Sequence, residues 1–331
     1  MIRKISYIAL ITALTVMAVF AQTPSPMPTV QSSPQVSPTP VVSLATILTE
    51  AEKQTANYRE TFKDLLAIEK KAFEKYDKTG DLKDETVIES NFFVYQSSKD
   101  EKTSSELRNV VKVDEKLVPD SQARADRFLA ELQKTTTVER ELEKIQDEGL
   151  RYDKTVEISG LTLYEAIALL NNLRPVFDFK LLGTENYQSR EVYVVSYQQS
   201  KKSPFITVNE RKSKEQGIKV DFDVSLPGSL KKTDTFLRGK LWIDAQTFQI
   251  WREERQLVVQ TAAPVIAQET IFEYQPSDYG ILVPKKITFL QNSIKKADKD
   301  NEFTALKNTR VNFDYSKFRK TNVEVQIVDE P

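Results

Sequence analysis

Apolar residues at the start of the folded stretch recur in steps of three and four: Leu44, Leu48, Ala51, Thr55, Tyr58, Phe62, Leu65, Ala72 and Tyr76, with Ile68 bridging the longest gap. That spacing predicts one long helix with a single apolar stripe. Ser43 suits its N-cap and Gly80 its end, giving about 50 Å at about 1.5 Å per residue. Thr86–Tyr95 and Leu107–Val113 are strand-like around the polar stretch Gln96–Glu106, which predicts a hairpin with a loose loop. Pro119 opens a second helix to about Glu148, with Phe128, Leu129, Leu132, Leu142 and Ile145 on its apolar side and Gly149 at its C-cap. A third, shorter helix is predicted over Thr162–Leu173, carrying Leu163, Ala166, Ile167 and Leu170 and stopped by Pro175.

From Val176 onward the period changes to two. Glu191–Tyr197 is apolar on both faces, as in a central strand. Val220, Phe222 and Val224 alternate with Asp221, Asp223 and Ser225, giving one dry and one wet face. Gly239–Asp244 and Thr247–Gln260 flank the tight segment Asp244–Thr247, which predicts a hairpin whose turn Asp244 caps through its carboxylate. Further strands are predicted at Ile266–Tyr274, Ile281–Leu290, Phe303–Tyr315 and Val323–Val328, with Phe303, Ala305, Val311, Phe313 and Tyr315 on one face of the penultimate one. One dry sheet face needs a cover, and the early striped helices are available for it. The expected fold is therefore α+β, an open, strongly curved antiparallel sheet (a half-barrel) covered by helices. It comprises a helix-rich part over 43–150 and a sheet-rich part over 151–331.

The N-terminus has the pattern of a secretory signal. Arg3 and Lys4 precede an apolar run, Ile5–Phe20, and Val19-Phe20-Ala21 places small residues for cleavage before Gln22. An uncleaved run would instead anchor the chain in the inner membrane. No later segment is apolar for long enough to span one. Gln22–Val42 holds six of the chain's 14 prolines among Ser, Thr, Gln and Val, and is read as an extended linker.

Composition narrows the chemistry further. The 331 residues contain no Cys, no His and 8 Gly. Disulfides, thiolate nucleophiles, Cys-ligated metals and a Ser–His–Asp triad are excluded, and the scattered glycines leave no phosphate-binding loop. No cofactor is expected. The formal net charge of −1 shows none of the basic excess of a nucleic-acid binder. Asp221 and Asp223 read as a solvated strand face. Glu253-Glu254 and the pairs Lys201-Lys202, Lys231-Lys232, Lys285-Lys286 and Lys295-Lys296 read as solubilising charges that discourage edge pairing.

The segment Gly239-Lys-Leu-Trp242-Ile-Asp244-Ala-Gln-Thr247-Phe-Gln-Ile250-Trp-Arg252 resembles a motif of the periplasmic LolA/LolB-like superfamily, which includes lipoprotein carriers and RseB/MucB-like proteins. Around it, Tyr193–Tyr197, Ile271-Phe-Glu-Tyr274, Tyr279-Gly-Ile-Leu-Val-Pro284-Lys-Lys-Ile287 and Val311-Asn-Phe313-Asp-Tyr-Ser-Lys-Phe318 match the family's strand order over roughly 187–331. The Pro-rich leader, the long N-terminal helical part and the lack of a match to the carriers' lid arginine depart from it. The resemblance implies a secreted, periplasmic, non-enzymatic protein that holds a lipid or lipoprotein acyl chain between sheet and helices. The motif residues Gly239, Trp242, Asp244 and Thr247 would build the hairpin. On the resemblance Trp242, Phe222, Tyr193, Phe289 and Phe313 would line the cavity, whereas the residues by themselves read first as core. The alternative is an envelope interaction or sensing protein of RseB-like type, whose core is filled by its own side chains and whose partner is a protein.

Overall fold

A computed structural model describes residues 42–320 apart from 64, 97–103, 133–138, 154–157, 159, 164, 210–219, 232–233 and 298–301. The signal expected at 1–21, nearly all of the linker expected at 22–42 and the strand expected at Val323–Val328 lie outside the described residues.

Ser43 caps the first helix, α1 (Leu44–Phe62), its hydroxyl accepting from the Thr46 amide at 3.1 Å. Ile47, Leu48, Ala51, Thr55, Tyr58 and Phe62 form its buried stripe. The helix stops there. Leu65–Tyr76 is a strand, β1, rather than a continuation to Gly80. The stripe of three and four steps concealed an alternation whose inward positions are Leu65, Ala67, Glu69, Lys71 and Phe73, all buried. Two of those five are charged, so the dry face of the strand does not look dry in the sequence.

The chain continues as β2 (Leu82–Gln96), β3 (Ser104–Val113), the two-residue β4 (Lys116–Leu117), α2 (Ser121–Leu132) and α3 (Glu139–Leu150). The predicted second helix is thus two helices, with 133–138 between them outside the described residues. Gly149 lies within α3 rather than at its C-cap. A Cβ there would sit 2.8 Å from the Arg108 carbonyl, so glycine lets the helix pack directly on β3. The remaining strands are β5 (Phe177–Tyr187), β6 (Arg190–Gln199), β7 (Ile206–Val208), β8 (Val220–Phe222), β9 (Thr235–Asp244), β10 (Ile250–Val259), β11 (Val265–Pro276), β12 (Leu282–Lys296) and β13 (Phe303–Lys320).

Eleven of these strands form one antiparallel sheet in the order β4-β3-β2-β1-β13-β12-β11-β10-β9-β6-β5. It is not closed, since β4 and β5 remain edges. Residues 43–150 therefore contribute four strands to the same sheet as the second half. β6 lies beside the edge strand β5, with Val192, Val194, Val195 and Tyr197 buried on its two faces. β7 and β8 form a separate parallel pair. They cover the inner face where Gln268 and Gln291 both donate to the Asp223 carbonyl, at 2.6 and 3.0 Å.

Thr162–Leu173 is not a helix. It is a chain of turns with one short 3-10 stretch at Ile167–Leu169, and Ala166 takes a left-handed φ of 43°. Leu163, Ala166, Ile167, Ala168, Leu169, Leu170 and Leu173 are all buried, more than one helix face could hide. This segment fills the inner face of the sheet as a plug.

Candidate functional site

The plug meets the sheet through buried carboxylates. On β3, Glu106 accepts from the Thr162 amide at 2.8 Å, the Thr162 hydroxyl at 2.6 Å and the Leu163 amide at 3.3 Å. On β10, Glu253 accepts from the Ala166 amide at 3.1 Å. Six inter-strand steps separate β3 from β10, about 29 Å on a flat sheet at about 4.8 Å per step. Thr162 and Ala166 are four residues apart, at most about 14 Å even if extended. A segment made of turns bridges those strands only because the sheet curls around it. From the other side, the Tyr58 hydroxyl of α1 donates to the Thr162 carbonyl at 2.7 Å. The Tyr58 ring stacks on Phe62 and meets Tyr274 of β11 edge-on.

Each carboxylate carries its own cation two residues along the strand. Arg255 grips Glu253 at 3.0 and 2.8 Å, and Tyr197 donates to it at 2.8 Å. Arg108 reaches Glu106 at 3.0 Å and bridges across β2 to Glu69 of β1 at 2.7 and 2.9 Å. The Tyr315 hydroxyl donates to Glu69 at 2.9 Å. Lys71, two residues from Glu69, binds Asp153 at 2.7 and 2.9 Å. Glu253 was expected to be a solubilising surface charge, and it is instead fully buried. Strand alternation turns it inward, and Arg255 on the same face supplies the counter-charge. Glu254, facing the other way, is half-buried and pairs with Arg252 at 2.8 Å.

Titration follows from this packing. Burial pushes the Glu165 carboxyl well above the usual carboxylate range, and the neighbouring Glu253 charge adds to the effect. Burial also acts to raise Glu69, but the Arg108 guanidinium and its hydrogen bonds win, with help from Lys71, and its pKa is lowered. Tyr58, Tyr197, Tyr274 and Tyr315 are raised by burial and by nearby charge.

The expected cavity residues converge only in part. Phe289 and Phe313 share the inner face of β12 and β13, buried, with Phe313 stacked beside Tyr315 at 6.4 Å. Phe222 packs into the same core from β8. Tyr193 is half-buried and stacks on Phe248 of the β9–β10 turn. Trp242 faces the opposite way, because Leu241 and Ile243 take the inward positions on β9. Its indole donates to Glu185, and Arg252 lies 5.2 Å from its ring. Trp242 is 8% exposed on the outer face and lines no interior space.

The motif itself builds a turn. Asp244 accepts from the Gln246 and Thr247 amides at 2.9 and 2.8 Å and from the Trp251 indole at 3.1 Å. Burial opposes its ionisation, but these hydrogen bonds dominate and its pKa is lowered. Gly239 is required for a different reason. A Cβ there would lie 2.0 Å from the Glu254 carbonyl and 2.5 Å from the Tyr197 ring, which crosses β9 on its way to Glu253. Asp221 and Asp223 are exposed, and Asp221 accepts from Thr207 at 2.7 Å. Among the described residues no group of three or more His, Cys, Asp or Glu is arranged to hold a metal, and no helix is long and apolar enough to cross a membrane.

Similar solved structures include a DUF1329 family protein from Desulfovibrio piger (10% identity, TM-score 0.36, covering 85% of this chain and 95% of that one). A LolA superfamily protein from Nitrosomonas europaea is similar at 9% identity and TM-score 0.34, covering 86% and 96% of the two chains. The Pseudomonas aeruginosa MucA/MucB complex matches at 8% identity and TM-score 0.20, covering 82% and 99%. No family model matches the chain, and no curated protein matches it in sequence. Roles at the site therefore rest on this chain's own side chains.

Proposed function

We propose that this chain is a non-enzymatic cell-envelope interaction protein whose surface engages a protein partner and whose interior is reserved for its own plug. The observation that carries the reading is the filled inner face, where sheet carboxylates from β3 and β10 bond the backbone of 162–166. On this reading residues 1–21 are a cleaved export signal, 22–42 a spacer and 43–331 the interacting LolA-like half-barrel. The absence of His and Cys removes imidazole and thiolate chemistry from the candidates.

A second reading, a carrier of a lipid or lipoprotein acyl chain, draws on the aromatic inner face of β11 to β13, which holds buried Phe272, Phe289 and Phe313. It requires the plug to leave. Native mass spectrometry of protein purified from an envelope fraction, together with a fluorescent fatty-acid probe, separates the two. The interaction reading expects no co-purifying lipoprotein or lipid, no loss of Ala166 amide protection when the fatty-acid probe is added, and a single crosslinked partner in intact envelopes. Stoichiometric co-purifying lipid that the probe displaces would overturn it in favour of the carrier.

A further inference from the structure

Where α1 crosses the plug, Lys53, Glu52, Thr55 and Arg59 face Leu169 and Leu170 across a cleft of about 340 Å³. Its polar groups are incompletely matched. Thr55 is 1% exposed, yet its Oγ1 has no hydrogen-bond partner. A helical threonine ordinarily returns its hydroxyl to the carbonyl one turn back, and this one does not. The Nε of Arg59, one turn further along, is likewise buried without a partner. The other charges are already paired: Glu52 binds Arg174, and Lys53 binds Glu50 at 2.7 Å. Among the described residues no carboxylate lies within ion-pair distance of Arg59, so the cleft carries one unmatched positive charge beside a buried hydroxyl. Its floor, Leu169 and Leu170, is apolar and buried.

We infer that this cleft binds a small organic anion, a carboxylate or phosphate monoester with a short apolar body. The head group sits on Arg59 and Thr55, and the body rests against Leu169 and Leu170. An oxyanion accepts from both unpartnered groups at once, and bonds between charged groups are the stronger kind. The volume, near the lower end of the roughly 300–1,000 Å³ usual for ligand pockets, sets the size of the body. Bound there, the anion ties α1 to the plug. The site does not depend on the identity of any protein partner.

The test is calorimetric titration of the full secreted chain with octanoate, octyl phosphate, inorganic phosphate and 1-octanol, alongside NMR of the arginine Nε–H signals. One-to-one binding of octanoate or octyl phosphate with a shifted Arg59 signal is expected, and a preference for either names the head group. Arg59→Gln should weaken binding about tenfold or more. Thr55→Val should weaken it roughly three- to tenfold without lowering the Tm of the ligand-free protein, because it removes an unsatisfied buried hydroxyl. The site is refuted by unchanged binding in Arg59→Gln, by octanol binding as tightly as octanoate, or by inorganic phosphate matching octyl phosphate. The absence of binding by either amphiphile refutes it equally.

Discussion

Replacing Glu253 with glutamine keeps the side chain's shape and removes its charge at the point where sheet, plug and counter-ion meet. The carboxylate takes two hydrogen bonds from Arg255, one from Tyr197 and one from the Ala166 amide, and all of these partners are buried. An amide offers one acceptor oxygen and turns its NH₂ toward donors, so at least one buried bond is lost and Arg255 is left with an unmatched charge. Breaking a buried pair from one side costs about 3–5 kcal/mol. A small offset comes from Glu165, whose burial in the neutral form is partly enforced by Glu253. Against a total stability of about 5–15 kcal/mol the loss is large. At about 2–4 °C per kcal/mol for a domain of this size, Tm should fall by roughly 6–20 °C. The double variant Glu253→Leu/Arg255→Met removes both charges and should lie within about 2 kcal/mol of the wild type. Urea and thermal unfolding followed by circular dichroism measure both, and amide exchange reads the plug directly. The Ala166 amide should lose protection in the double variant, where no acceptor remains. A Glu253→Gln cost below about 1 kcal/mol, or an Ala166 amide as protected in the double variant as in the wild type, refutes the reasoning.

Glu165 gives a pH prediction. Its folded pKa lies above the ordinary 4.5, so between those two values the folded state holds a proton that the unfolded state has released, and stability falls as pH rises. Glu165→Gln removes that slope. Its Tm relative to the wild type should be lowest below the unfolded carboxyl's pKa and rise as pH climbs above it, and a difference that stays constant with pH refutes the assignment. Gly239→Ala places a methyl 2.0 Å from the Glu254 carbonyl and displaces Tyr197, so unfolding in urea should show a loss of at least about 1–3 kcal/mol. Asp244→Ala leaves the Trp251 indole and two turn amides without their acceptor, for an expected loss of about 1–3 kcal/mol. Because the Asp244 pKa is lowered in the fold, its contribution is present above the unfolded carboxyl's pKa and disappears as pH falls through the folded one. The gap between wild type and Asp244→Ala should therefore narrow in acid.

The elements that were legible in the sequence were those whose determinants are local. The β9–β10 hairpin could be read because Asp244 caps its turn through residues two and three places away. Phe289 and Phe313 alternate with polar neighbours, and the structure buries both on one face. The failures share a cause. Glu69 and Lys71 broke the period-two signal of β1, because their partners Arg108 and Asp153 are 39 and 82 residues away in the chain. Helical spacing in 162–173 misleads because its apolar residues are buried on more than one side and the amides of Thr162, Leu163 and Ala166 go to carboxylates on distant strands. The facing of Trp242 depends on register alone, and a one-residue shift reverses it. One signal in the sequence does carry the missing contacts. Glu69 and Lys71, Glu106 and Arg108, and Glu253 and Arg255 are opposite charges two residues apart in three predicted or observed strands, a spacing that puts both on one face.

That repeated spacing explains why a core should carry so many charges. A plug without regular secondary structure brings backbone N–H groups into the interior with no ladder to satisfy them, and buried amides are rarely left unpaired. An apolar inner face would strand the amides of Thr162, Leu163 and Ala166. Glu106 and Glu253 accept from them, and each carboxylate is neutralised by the arginine two positions along its own strand. The pairs are thus complementary to a peptide. An acyl chain entering in place of the plug offers no donors, and it would leave both carboxylates short of hydrogen bonds in a water-poor space, at a cost of about 1–3 kcal/mol for each group and more where charged. Each CH₂ brought out of water returns about 0.8 kcal/mol, but the plug's own Leu163, Ile167, Leu169, Leu170 and Leu173 would lose comparable burial on leaving. The apolar terms therefore largely cancel, and the hydrogen bonds decide the competition in favour of the chain's own segment.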